Sequence, residues 1–310
     1  MRKVSSSNAY NSIQLIVSTN SIIISYIPPE FRDSSVMVFL SHNGEDQLNT
    51  TVRPAKAPIK FDTSSLADGE YQFNVYLSRK NSTLFWPYYR DNEIIISLFR
   101  GRCSLKIPCT LQPNKEIYRK LRRDSIFLNS CLQSTSQIQS NNAIIEKLSN
   151  TITENCHLSY EKVKSIHDWV ADYVSYDYDS LENDRYIYED NSAIGTYLKR
   201  RGVCQGYTNL MIALLRSCGI PSIGMLCFAL GVTTSGGWTN IENLNAAPNH
   251  IFPIVYLSNR WFLIDVTWNS DNAIKKNTKE VKTGWGTSHK YYDVSVEFIS
   301  HTHRLVETVF

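Results

Sequence analysis

The sequence predicts an α+β chain in two parts: an antiparallel β-sandwich, then a domain in which helices pack on a second antiparallel sheet. Three observations predict it. Residues 10–105 hold short runs rich in β-branched and aromatic residues, separated by turn residues. From about Leu111 the apolar spacing becomes helical. Beyond residue 250 two strand-like runs return, joined by only two residues. A chain of 310 residues is long enough for two ordinary domains.

The strands of the first part read as Ile22–Tyr26, Val36–Leu40, Tyr71–Leu77 and Ile94–Leu98. Between them lie Pro28-Pro29, His42-Asn43-Gly44, Ala67-Asp68-Gly69 and Trp86-Pro87, the punctuation that a sandwich requires. Alternation puts Tyr71, Phe73, Val75 and Leu77 on one face, the expected core side. In the second part Ile117 and Leu121, then Ile144, Ile145, Leu148 and Ile152, recur at helical spacing. Ser159 starts a helix carrying Val163, Ile166, Val170 and Val174. The polar stretch from Ser134 to Asn142 reads as a flexible linker. The division is therefore 1–108 for an Ig-like accessory sandwich, 109–140 for a linker and helix, and 141–310 for the domain that carries chemistry.

Composition narrows the function classes. Hydrophobic residues make up 42 % and charged residues 20 %, enough apolar material for a real core. The net charge of +3 offers no nucleic-acid surface, and the basic run Arg119–Arg123 reads as a solvated helix face. No apolar run approaches the roughly 18 residues of a membrane span. Met1-Arg2-Lys3 is followed by a polar segment rather than an apolar one, so the expectation is a cytoplasmic protein, or a secreted one whose leader is missing. Seven cysteines without a CxxC pair argue against a zinc knuckle, and free thiols are the preferred reading of Cys103 and Cys109.

Gly202-Val203-Cys204-Gln205-Gly206-Tyr207 leads into Leu210, Met211, Leu214 and Leu215, an apolar helix stripe that stops at Gly219-Ile220-Pro221. Cys204 thus sits in the first helical turn, where unpaired backbone N–H groups and the positive end of the helix dipole favour a thiolate. A nucleophile needs a base. His250–Leu257 and Arg260–Trp268 are strand-like runs around Ser258-Asn259. Pairing Leu257 with Arg260 places His250 opposite Thr267 and makes Asp265 its diagonal neighbour on the same face. A carboxylate orienting an imidazole, which in turn serves a thiol, is the arrangement of covalent acyl transfer. Left unpaired among Phe262, Leu263, Ile264 and Val266, Asp265 would cost several kcal/mol to bury.

Arg201–Tyr207, Gly219-Ile220-Pro221, His250 and Arg260–Trp268 resemble, in order and spacing, the motifs of the transglutaminase-like superfamily. The resemblance covers roughly residues 140–305, from the helix before Tyr176-Asp177-Tyr178-Asp179 to Lys290–Ser295, and is nearest in style to bacterial members and the kyphoscoliosis-peptidase-like branch. One departure stands out: the family commonly follows its histidine with Ala-Trp-Asn, and here Ile251, Phe252 and Pro253 follow. Pro253 has no N–H for a ladder, so this strand is expected to be an edge or to carry a bulge.

The resemblance implies a papain-like fold in which Cys204, His250 and Asp265 are catalytic. It implies an oxyanion hole made by the Cys204 backbone N–H and a second donor, with Tyr176, Tyr178, Gln205 and Trp238 as the oxyanion or substrate-binding candidates. No metal or organic cofactor is implied. The partners expected are a protein or peptide substrate, with neither nucleic acid nor a membrane span, and the N-terminal sandwich is a candidate interaction surface. The rival reading is a catalytically inactive binding or scaffolding protein. Gly231–Asn249 reads as a loop framing a cleft and setting specificity, and Trp86, Tyr88 and Tyr89 as a weaker candidate for glycan recognition.

Overall fold

The computed structural model describes residues 2–4, 13–28, 31, 34–53, 56–78, 85–89, 94–230, 247–270, 272–275, 279–282 and 287–310. The chain divides into two compact units. One comprises Met1–Gln112, Leu230–Glu242 and Ser295–His303, and the other Pro113–Ala229, Asn243–Val294 and Arg304–Phe310. Among the described residues, no helix is long and apolar enough to cross a membrane.

The strands of the first unit are β1 (Arg2–Val4), β2 (Gln14–Ser18), β3 (Ser21–Tyr26), β4 (Val36–His42), β5 (Glu45–Val52), β6 (Ile59–Asp62), β7 (Gly69–Ser78), β8 (Phe85–Tyr89), β9 (Ile95–Phe99) and β10 (Arg102–Leu105). They form a sheet in the order β1-β2-β3-β6 and another in the order β10-β9-β7-β4-β5, with β8 also pairing β7. Tyr71, Phe73, Val75 and Leu77 are all buried, as their alternation predicts. Ile22, Ile24 and Phe61 of the other sheet are buried as well, and the Phe61 and Phe73 rings lie edge to face at 6.3 Å. Asn43 (φ 51°) and Gly44 (φ 83°) make the left-handed two-residue turn between β4 and β5. β5 escapes sequence reading because it is a mostly exposed polar edge strand with no apolar alternation to betray it.

Two expectations for this unit change. Trp86-Pro87 is not a turn between strands but part of β8. Tyr88 belongs to the packing: it is buried, its hydroxyl accepts the Ile13 N–H at 3.2 Å, and Phe31 meets its ring edge at 5.6 Å. Cys103 is a buried free thiol and Cys109 an exposed one.

The second unit contains α1 (Leu111–Lys120), α2 (Ser125–Ser130), α3 (Ala143–Thr153), α4 (Ser159–Tyr173), β11 (Ser175–Asp177), α5 (Tyr178–Glu182), α6 (Ala193–Lys199), β12 (Arg201–Gly202), α7 (Cys204–Ser217), β13 (Ser222–Ala229), β14 (His250–Leu257), β15 (Arg260–Leu263), α8 (Val266–Asn269), β16 (Asn272–Lys275), β17 (Lys279–Lys282) and β18 (His303–Val309). Its main sheet runs β15-β14-β13-β18, and a smaller one runs β12-β11-β16-β17. α7 is the central helix. Tyr207, Leu210, Met211, Leu214 and Leu215 are fully buried, packed with Ile145 of α3 and with Val163, Ile166 and Val170 of α4. Gly219 ends α7 in the left-handed conformation (φ 74°) that glycine takes without strain. The stretch 134–142 is not a free linker: Ile138 is buried in this core, and the Gln137 carbonyl accepts the Ala193 N–H at 2.8 Å.

The β14–β15 hairpin shows where the strand reading holds and where it ends. Leu257 pairs with Arg260 as expected, and the ladder continues to Ile254 opposite Leu263. It then stops, because the chain turns into α8, so His250 lies opposite Cys227 of β13 rather than Thr267. Nor is β14 an edge strand, since β13 and β15 flank it, and its pairing is continuous across Pro253. The Pro253 carbonyl accepts the Ile264 N–H at 3.3 Å, so its missing N–H falls on the side from which β15 is departing. Proline is tolerated there because no ladder partner follows.

Candidate active site

Three local structures converge. Cys204 is the first residue of α7, half-buried, after the extended Val203 (φ −85°, ψ −177°). α6 supports this turn closely: a Cβ on Gly206 would lie 2.6 Å from Thr196 Oγ1, so only glycine lets the two helices meet there. His250 begins β14 and is buried. Asp265 is the N-cap of α8 and has no exposed surface; its Oδ1 accepts the Trp268 N–H at 3.0 Å. That leaves Oδ2 for His250 Nε2, at 2.8 Å.

The electrostatics of the pair follow from burial and charge. Burial alone would depress the imidazole pKa, but the charge and hydrogen bond of Asp265 outweigh it. A hydrogen bond and charge from Cys204 add to them, so His250 is pushed up to about 10. With Nε2 committed to Asp265, Nδ1 is the ring nitrogen left for the sulfur. The rings of Trp268 and Phe252 flank His250 at 5.9 and 6.4 Å. Cys227, the cross-strand neighbour of His250, is held as a thiol: burial raises its pKa well above the usual value, with help from Asp265 and Cys204.

The other expected site residues divide. Tyr176 lies on β11 opposite Gly202, two residues before Cys204. Burial, then the nearness of Cys204, Tyr178 and other acidic groups, raises its hydroxyl far above the ordinary range, so it is a permanent O–H donor. Tyr178 is partly exposed, with its ring 4.7 Å from that of Tyr176. Gln205 is exposed beside Cys204. Trp238, and the greater part of the Gly231–Asn249 loop expected to set specificity, lie outside the described residues.

Residues 146–266 match the family model of the transglutaminase-like superfamily. The chain carries a transglutaminase-like domain. Two curated relatives, the kyphoscoliosis peptidases of Mus musculus and Homo sapiens, are each 26 % identical, over 138 and 136 residues. The match covers 44 % of this chain in both cases but only 20 % and 19 % of the relatives, so it spans about a fifth of their length. A proposed cysteine protease of known structure from Cytophaga hutchinsonii aligns over 96 % of this chain and 87 % of its own, at 16 % identity and a TM-score of 0.38.

Beside Cys204, His250 and Asp265, the second unit holds a polar cluster that sequence reading missed. His167, Asp168 and His289 bring three ligand-type atoms within 4.8 Å of one another. Their chemistry does not suit a metal. His167 Nε2 faces the Asn269 amide at 3.0 Å, and Asn269 Oδ1 is taken by the Tyr291 N–H at 2.9 Å, so Nε2 must accept and Nδ1 must keep its proton. That proton goes to Asp168 Oδ1 at 2.8 Å. Lys164 already brings a positive charge, 2.6 Å from Asp168 and 3.1 Å from His289. Burial alone would raise the Asp168 pKa, but hydrogen bonds from His167 and His289 hold it far below the usual carboxylate range. The signal available in the sequence was a histidine inside an apolar helical stripe, one turn after Val163 and three residues before Val170.

Proposed function

We propose that the domain performs cysteine acyl transfer on protein or peptide amides. The Cys204 sulfur attacks the carbonyl carbon, and the C–N bond breaks. The amine leaves with a proton from His250, and an acyl-thioester remains on Cys204. Water or a second amine then attacks that thioester and restores the thiol; the first outcome is hydrolysis, the second transamidation. Asp265 holds the imidazole by Nε2 and stabilises its protonated form, which makes a thiolate–imidazolium pair available. Backbone N–H groups in the first turn of α7, together with the Tyr176 hydroxyl, are suited to receive the developing oxyanion.

The observation that carries this reading is a buried imidazole held between Asp265 and Cys204 and strongly biased toward its protonated state. The peptidase names of the relatives favour hydrolysis. Pro253 sits where the β15 ladder ends and leaves His250 on Asp265. The test is incubation of wild type and Cys204→Ala with a mixed peptide library, with and without a primary amine. Mass spectrometry is expected to show cleaved, deamidated or amine-linked peptides with wild type only. Identical product patterns for the two proteins would remove the proposal.

A further inference from the structure

His167 is a fully buried polar side chain of the second unit. It has no exposed surface, and both of its ring nitrogens are engaged, Nδ1 by Asp168 and Nε2 by Asn269. Burial depresses its pKa, in keeping with a neutral ring. The tautomer follows from the partners: the Tyr291 N–H occupies Asn269 Oδ1, so the Asn269 amide N–H points at His167 Nε2.

Asn269 is the last residue of α8, and Asp265 is its N-cap. A helix of four residues has little to hold its own orientation. Its closing backbone bond, Asn269 N–H to the Asp265 carbonyl, is 3.2 Å long. Orientation comes from outside, through Tyr291. The Asp265 N–H donates to the Tyr291 carbonyl at 2.9 Å, while the Tyr291 N–H donates to Asn269 Oδ1 at 2.9 Å. The two ends of α8 therefore grip one peptide segment, and the grip at the Asn269 end depends on how that amide is turned. Ser270 adds an anchor to the Ala171 carbonyl at 2.6 Å, which fixes the C-terminal end without touching Asp265.

We propose that His167 is a positioning residue for the triad. Its Nε2 lone pair sets the Asn269 amide, Asn269 and Asp265 clamp the Tyr291 backbone, and the clamp keeps Asp265 Oδ2 on His250. This rests on the acyl-transfer reading of Cys204, His250 and Asp265. His167 acts only through α8.

The two amide replacements of histidine separate the roles of its nitrogens. In His167→Gln the side-chain oxygen reaches the place of Nε2 and can still accept from Asn269, whereas in His167→Asn the amide reaches only the place of Nδ1 and the bond to Asn269 is lost. The full-length variants are compared with wild type for folding by thermal unfolding, for the rate of Cys204 alkylation by iodoacetamide at pH 7, and for the low-field proton resonance of His250 Nε2–H. The expected result for His167→Asn is alkylation slower by about tenfold or more and an upfield shift of the His250 proton, as misplacing a reacting group produces. His167→Gln is expected to stay within about threefold of wild type. Equal rates in His167→Asn and wild type overturn the proposal, and so does a tenfold loss in His167→Gln, which decides the matter even if His167→Asn fails to fold. Wild-type Cys204 alkylating no faster than the other six cysteines would instead remove the acyl-transfer reading itself.

Discussion

Replacing Asp265 by asparagine tests the electrostatics of the site with almost no change of shape. The cap bond from Trp268 N–H requires an oxygen, so the new side chain keeps Oδ1 on Trp268 and turns its NH2 toward His250 Nε2. A donor now faces Nε2, the ring proton moves to Nδ1, and the lone pair that should serve Cys204 is gone. The negative charge that opposed burial is lost as well. His250 would then fall from about 10 toward its ordinary 6.5, a change of up to about three units. At 1.36 kcal/mol per unit this corresponds to at most about 4–5 kcal/mol, of which Cys204 supplies a part. The assay is titration of the His250 ring protons by NMR in wild type and Asp265→Asn, with product formation measured in parallel. Turnover is expected to drop by about 10²–10⁴-fold. A His250 midpoint that stays within half a unit of wild type, with activity kept, would refute the reasoning.

Other outcomes follow from the same structure. The His250 pKa is raised on folding, so the stability it contributes is fully present below pH 6.5 and lost as pH rises toward 10. Thermal unfolding of wild type and His250→Gln should therefore differ most near pH 6 and converge by about pH 10. Gly206→Ala places a Cβ 2.6 Å from Thr196 Oγ1 and should destabilise by about 1–3 kcal/mol in urea titration, although alanine is the better helix former. Phe73→Ala removes a fully buried ring that meets Phe61 across the sandwich and should cost about 3–5 kcal/mol in the same measurement.

Much of this architecture is legible in the residues because the physics is local. Tyr71 to Leu77 alternate and face the core as alternation demands; Cys204 opens a helix because an apolar stripe starts there and Gly219 stops it. Register is legible only as far as the strand lasts. Counting from Leu257 and Arg260 is right through Leu263, but Asp265 leaves the sheet to cap α8, and it reaches His250 as a cap rather than as a strand neighbour. Pro253 misleads for the same reason, since a proline is harmless where the neighbouring strand has already turned away. His167 and Asn269 are 102 residues apart, so no local pattern announces their contact. The polar edge strand β5 and the packed stretch around Ile138 share that limit, because tertiary context alone decides them.

The central claim is that one sulfur among seven is set against a charged imidazole. Brief alkylation of the native protein at neutral pH, followed by mass mapping of every cysteine, tests it most directly. Cys204 is expected to be modified first, ahead of the more exposed Cys109, and to lose that lead in His250→Ala. Labelling that instead follows exposure, with Cys109 first and no change in His250→Ala, would contradict the account.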